Sequence, residues 1–327
     1  MTSIWKTLAA AAVGLALSAA PSLAQSYPDR VITLIVPYSA GGPSDLIARL
    51  VGESLSKTLG QQVVIENVTG AGGTLGASRV ARSDPDGYTL LIHHIALPAS
   101  ASLYDKLNYD TATAFEPLGL INTGPMVLAT KPGYEAKDAQ ALIAKIKADG
   151  ANTTVGNAGV GSNAHLCASL LQRATGANFT QVPYRGTGPA MTDLIAGQID
   201  MMCDQSTNAV PPVLANKIKG FAVSSKERLP ALKDLPTLDE AGLKGFEFVV
   251  WHGLYAPKGT PKEVLGKLSE ALEVALKDPK IVSRFADVGT TVFPEQERTP
   301  EAHKARFEKE LETWKKVFAE SGDKAPK

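Results

Sequence analysis

Downstream of residue 30, short apolar runs alternate with stripes at helical spacing. VITLIV, residues 31–36, reads as a buried strand. In the PSDLIARLVGESLSKTLG stretch that follows the next loop, Leu46, Ile47, Leu50, Val51 and Leu55 fall on one helical face. Pro43 suits that helix's first turn and Gly60 its stop. QQVVIENV is the next strand, GGTLGASRVARS a helix, DPDG a turn and YTLLI a strand. The pattern then restarts. KDAQALIAKIKADG reads as a helix, NTTVG as a strand, and SNAHLCASLLQRATG as a helix with Leu166, Leu170 and Leu171 inward. FTQVPY, TGPAMTDLIAGQ, IDMMCD, STNAVPPVLANK and KGFAVSS continue the alternation. The last part is helical, and Phe307, Leu311, Trp314 and Phe318 share a face suited to core packing. Such alternation predicts an α/β fold with parallel sheet and helices on both faces.

The 327 residues, 44% of them hydrophobic, suffice for a sizeable core. The length suggests about two domains. Basic and acidic residues balance at 33 each, so the electrostatic footprint of a nucleic-acid binder is missing. The N-terminus has the three-part pattern of a secretory signal: a lone Lys6, the apolar LAAAAVGLALSAA, and small residues Ser22 and Ala24 before a cleavage point. The alternative is a membrane anchor, but the apolar run is short for a bilayer. The expectation is a signal peptide over 1–24 and a periplasmic location. Export permits a disulfide between Cys167 and Cys203. One intralobe bridge is expected from the even count, and two buried thiols remain the alternative.

The strand-to-helix junctions carry almost no functional side chains. They read PYSAGGPSD, NVTGAGGTLG, VGNAGVGSNAH and VPYRGTGPA. Helix starts carry unpaired N–H groups and partial positive charge, and glycines let a ligand approach the backbone. The combination suits a carboxylate or phosphate held without a cation. Ser39 and Ser162 would assist with their hydroxyls.

Catalytic readings find little support. GAGGTLG departs from the dinucleotide fingerprint spacing, so no cofactor is expected. His93 and His94 are adjacent, and extended backbone would point them oppositely. His165 and Cys167 do not share a helical face, and no zinc spacing occurs. Ser44 has no nucleophile-elbow context, and Asp45 reads as dipole complementarity in a first helical turn. The protein is expected not to be an enzyme and to bind no metal.

PYSAGGPSD, NVTGAGGTLGA, DPDGYTLL, GVGSNAHL, VPYRGTGPAMTDLIAGQID, the MCDQSTN run and WHGLYAPKGTP together resemble the Bug-type extracytoplasmic solute-binding receptors of the tripartite tricarboxylate transporter family. The resemblance implies a two-lobed periplasmic-binding-protein fold, each lobe a mostly parallel sheet flanked by helices, with two crossing strands. Lobe 1 would hold 25–124 plus 253–327, and lobe 2 would hold 125–252. The crossings would be INTGPMVLAT and FVVWHGLYA.

The resemblance also implies opposing jaws on the ligand. One is Tyr38, Ser39, Ala40, Gly41 and Gly42; the other is Gly159, Gly161, Ser162, Asn163 and His165. Thr69, Gly70, Ala71, Gly72 and Gly73 would add donors. Tyr184 and Asp204 match positions near the cleft, and Arg185 either pairs with a carboxylate or is structural. HHIALPAS, 93–100, stands where a third cleft loop is expected, with His94 a donor, part of an aromatic pocket, or a solvated loop residue. The implied function is capture of a small organic carboxylate, a dicarboxylate or aromatic acid, for membrane transporter subunits. The alternative is a receptor feeding a two-component system.

Overall fold

A computed structural model describes residues 27–322 together with Lys324 and Ala325. The expected signal segment lies outside the described residues. Strand β1 (Ile32–Val36) lies between β2 (Val63–Asn67) and β3 (Thr89–His94), parallel to both, so Leu34 faces Ile65 on one side and Leu90 on the other. Helix α1 (Pro43–Leu59) connects β1 to β2, and α2 (Thr74–Ala81), after a 3-10 turn, connects β2 to β3. The stripe read from the sequence packs inward: Ile47, Val51 and Leu55 of α1 are fully buried, each such burial contributing about 1.5–3 kcal/mol.

Strand β4 (Phe115–Thr130) organises the rest. Its 16 residues span about 50 Å. Phe115–Pro125 pairs antiparallel with β9 (Val249–Pro257), and β9 pairs antiparallel with β3. From Met126 onward β4 instead pairs with β7 (Met201–Gln205) and β8 (Lys219–Val223), again antiparallel. There β5 (Thr154–Asn157) lies parallel to β7 and to β6 (Thr180–Pro183). The short β10 (Thr291–Val292) adds to β4. Parallel pairing is thus confined to β1–β3 and to β5–β7. The two passages between the halves, running in opposite directions, join them antiparallel. β9 belongs to the first ladder over its whole length, so the return passage ends at Val249.

The change of partner occurs at Gly124–Pro125, where proline offers no N–H to a ladder. The seam is tied by side chains instead. Met126 N–H donates to Ser224 Oγ (2.8 Å), and Ser206 Oγ donates to the Gly289 carbonyl (2.7 Å).

In the second half, α4 (Ala139–Asp149), α5 (Asn163–Thr175), α6 (Thr187–Ile195) and α7 (Ser206–Leu214) cover the sheet. Helices α8 (Lys262–Lys277) and α9 (Pro279–Asp287) return to the first half. Between β3 and β4 stands α3 (Ala96–Leu103), and the last helix, α10 (Pro300–Ser321), packs on α3 and β4. Phe307, Trp314 and Phe318 of α10 are buried. No helix of the described residues is long and apolar enough to cross a membrane.

Cys167 of α5 and Cys203 of β7 are joined by a disulfide, with Cα atoms 6.1 Å apart and a sequence separation of 36. Both are buried. The bridge fixes α5, whose first turn faces the cleft, to the central strand of its half. A loop of this length predicts stabilisation of about 2–4 kcal/mol. The double variant Cys167→Ala/Cys203→Ala should lose that amount in urea titration, with the m-value rising as the freed unfolded chain exposes more surface; an unchanged unfolding free energy would show that the bridge constrains nothing.

Candidate functional site

Three helices begin at one place. α1 is capped by the extended Gly42, with no side-chain cap and Pro43 in its first turn. α6 is capped by Gly186, again without a side-chain cap. α5 is capped by Ser162, whose Oγ accepts the His165 N–H (3.2 Å). The start of α1 comes from the first half of the sheet and the other two from the second. Gly42, Pro43 and Ser44, Asn163, and Thr187 bring these starts to a common cavity of about 10 Å³, closed by Tyr38, His94 and Ala158. That volume holds about one water.

The cavity is this small because the loops of the two halves touch. Ser39 N–H donates to the Arg185 carbonyl (3.1 Å), and Tyr104 Oη donates to the Val160 carbonyl (2.7 Å). Two glycines make the approach feasible. A Cβ on Gly72 would stand 1.9 Å from the Val160 oxygen, and one on Gly186 would stand 2.1 Å from Ser39 Oγ. Gly72 also has φ +61°, which favours glycine. Outside this contact a wider groove of about 640 Å³ runs between Gly70, Ala71 and Tyr104 on one side and Gly159, Tyr184 and Arg185 on the other. The three helix starts line the smaller space, and the groove shares Ala158 with it.

The jaw residues named from the sequence therefore divide. Tyr38, Gly42, His94 and Asn163 line the cavity. Gly70, Ala71, Gly72, Gly159 and Tyr184 line the outer groove. Ala40 and Gly41 are exposed, and the Ala40 carbonyl lies against Gly188 of the opposing loop. Thr69, Gly73, Gly161 and His165 line neither space; Gly73 rests against the Tyr38 hydroxyl and His93 Nε2. Ser162 is committed to capping α5, and the buried Ser39 Oγ packs on Gly186. Arg185 is exposed, and its main chain makes the contact across the cleft.

The segment 93–100 is not a loop, and His94 is not solvated. β3 runs on through His94 because His93 and His94 pair with Gly253 and His252 of β9, and α3 starts at Ala96. His94 is 2% exposed. Tyr38 stacks on its ring at 4.9 Å. Nor do the adjacent histidines diverge: their rings meet edge to face at 5.1 Å, both against Tyr38, which closes over the strand end.

Sequence reasoning missed Ser44, Thr187 and His252 as site residues. Ser44 Oγ lies 3.0 Å from His252 Nε2, across 208 positions of chain. Only the first turn after each glycine loop signalled Ser44 and Thr187; nothing local signalled His252.

The site carries no cationic side chain at the cavity. Burial and the neighbouring His93 and His252 push His94 well below the ordinary histidine range, and burial lowers His252 to about 3. Both rings are neutral at neutral pH. Burial pulls the Asp45 carboxyl up, but bonds from Arg49, the Gly41 N–H and Asn67 outweigh it and hold the group below its usual range. Asp204, fully buried behind Thr187, is pushed up to about 6 by burial, against donors from Asn208, the Gln205 N–H and Thr187. No group of three or more His, Cys, Asp or Glu able to hold a metal occurs among the described residues.

Comparison with known proteins agrees with this geometry. A family profile described as "Tripartite tricarboxylate transporter family receptor" matches residues 47–322. A protein of Agrobacterium vitis, described as a UPF0065 protein in the TAR-I ttuE-ttuC' intergenic region, is 48% identical over 95% of this chain and 91% of its own. Among solved structures, the periplasmic binding protein BugD superposes with a TM-score of 0.88 at 42% identity, over 91% of this chain and 99% of BugD. MatC (Rpa3494) of Rhodopseudomonas palustris, with bound malate, gives 0.86 at 39% identity over 89% and 99% of the two chains. Rpa4515 of R. palustris, with adipate, gives 0.85 at 32% over 90% and 98%. The fold is accordingly the two-lobed one of periplasmic binding proteins.

The buried Asp204 gives a pH prediction. Its folded carboxyl keeps a proton up to about pH 6, whereas the unfolded one releases it near 3.8. Between these values the folded state binds more protons, so this group's contribution falls as pH rises through the window. Relative to Asp204→Asn, the wild type should therefore gain stability on acidification from pH 7 to 4, by on the order of 2–3 kcal/mol. Chemical denaturation of both proteins across that range measures the difference; a constant gap would mean that Asp204 stays ionised.

Proposed function

The chain belongs to the tripartite tricarboxylate transporter family of receptors, and we propose that it captures a small dicarboxylate in the periplasm and delivers it to membrane subunits of such a transporter. One observation carries the reading: three helix starts, from both lobes, converge on one cavity that no cationic side chain lines. First-turn N–H groups have no acceptor within their helix, and each helix start adds partial positive charge. A carboxylate supplies what these groups lack. The bound malate of MatC and adipate of Rpa4515 support a dicarboxylate as the ligand class.

In this reading the signal segment 1–24 directs export. The lobes divide where β4 changes ladder, near residue 125, and again just before Val249. The jaws must part for a ligand to reach a cavity of about 10 Å³, and the Gly124–Pro125 seam is where they turn. Binding then draws the loops back together around the ligand, which needs more room than their direct contact leaves.

The test is calorimetry on protein lacking residues 1–24, titrated with succinate, malate and adipate, paired with small-angle scattering. At least one of these acids should bind and reduce the radius of gyration. Gly72→Ala and Gly186→Ala, which place a Cβ in the closing contact, should each weaken binding by about tenfold or more, roughly 1.4 kcal/mol. Arg185→Ala should stay within about threefold, as a rim charge does. The reading fails if removal of Arg185 abolishes binding while both glycine variants bind normally, because a side-chain ion pair would then hold the ligand.

A further inference from the structure

The floor of the cavity carries an arrangement that the helix starts do not explain. His94 Nδ1 accepts the Ala96 N–H (3.2 Å). A nitrogen that accepts carries no proton, so the neutral ring bears its proton on Nε2. Among the described residues Nε2 has no hydrogen-bond partner, and the ring, 2% exposed, lines the cavity. Ser44 also lines the cavity, with Oγ 3.0 Å from His252 Nε2. His252 is fully buried, and its Nδ1 has no partner. A buried N–H left unpaired is rarer than an unpaired acceptor, so the proton belongs on Nε2, where Ser44 Oγ accepts it. The Ser44 hydroxyl is then free to turn its own proton into the cavity. Tyr38, the remaining hydroxyl on this wall, already donates to the Gly72 carbonyl (2.7 Å).

Resting on the carboxylate reading above, we infer that His94 Nε2–H and Ser44 Oγ–H form a neutral donor pair that seats one carboxylate of the ligand and turns away an ammonium group. His252 is the positioning residue that orients Ser44. Uncharged donors can satisfy a carboxylate's lone pairs, as backbone N–H groups do at helix starts. An ammonium at the same place would face the His94 N–H and find an acceptor only in a remaining hydroxyl lone pair, so it would lose most of its own hydration without replacement. The subsite therefore separates a dicarboxylic acid from the amino acid in which an ammonium replaces one of the two carboxylates.

Calorimetry at pH 7.5 with succinate, malate, adipate and γ-aminobutyrate tests this. Wild type should bind at least one dicarboxylate, and succinate at least about tenfold more tightly than γ-aminobutyrate, as expected when a group is left without partners. His94→Phe keeps the ring against Tyr38 but removes the donor, and should weaken dicarboxylate binding by about ten- to a hundredfold. His94→Gln, whose amide N–H falls near Nε2, should recover most of that loss. Ser44→Ala should weaken binding in the same way. His252→Gln should bind more tightly than His252→Leu, a difference that packing alone would not give.

Long-range ¹H–¹⁵N spectra of the histidines should show Nε2–H tautomers for His94 and His252, with the His94 Nε2 signal moving on dicarboxylate addition. Wild type binding none of these acids would sink the carboxylate reading and this proposal with it. Wild type binding a dicarboxylate while His94→Phe binds it equally, γ-aminobutyrate matching succinate, or an Nδ1–H tautomer at His94 would sink this proposal alone.

Discussion

The site depends on two main chains meeting without side chains between them. Gly72 lies against Val160, and Gly186 against Ser39, with a hydrogen bond from Ser39 to Arg185 alongside. A methyl group at either glycine would push the lobes apart. Held at this distance, the starts of α1, α5 and α6 share one small space. Their partial charges add there, in surroundings that exclude water and strengthen each interaction. This explains the absence of a cation at the cavity. Positive potential arises from backbone geometry, and Asp45 is kept from opposing it by its own bonds to Arg49 and Asn67.

A precise contact between lobes needs stiff lobes and a soft joint. The disulfide ties α5 to β7, and the buried stripe of α1 ties its start to β1. On the proposed reading the joint is where β4 passes from one ladder to the other, at a proline with no N–H and a glycine tightly flanked by Ser206 and Thr290. The hydroxyl bonds of Ser206 and Ser224 there can re-form after a small rotation more readily than a ladder can.

Much of this was legible in the chain. Periodicity located nearly every strand and helix, and glycine-rich junctions marked the helix starts, because capping and turn formation depend on neighbouring residues. The resemblance pointed to two crossing stretches; INTGPMVLAT contains the change of ladder in β4, whereas FVVWHGLYA lies from Val249 onward in β9, wholly within the first ladder. What failed was non-local. HHIALPAS looked like a loop because nothing nearby says that β3 continues; its pairing with His252 and Gly253 comes from 150 or more positions away. The Ser44–His252 contact is hidden for the same reason. Ala40 and Gly41 stand exposed, with the Ala40 carbonyl against Gly188 of the opposing loop, a contact that local sequence cannot place. The cysteine pair was open between bridge and thiols until the fold set their Cα atoms 6.1 Å apart.

The central claim is that backbone donors from both lobes hold the ligand. Amide ¹H–¹⁵N spectra during a dicarboxylate titration test it most directly. The account predicts that the first-turn amides of α1, α5 and α6, among them Ser44, Asn163 and Thr187, shift downfield together along one binding isotherm. Shifts confined to Tyr184, Arg185 and the outer groove, with these first-turn amides unmoved at saturation, would contradict it.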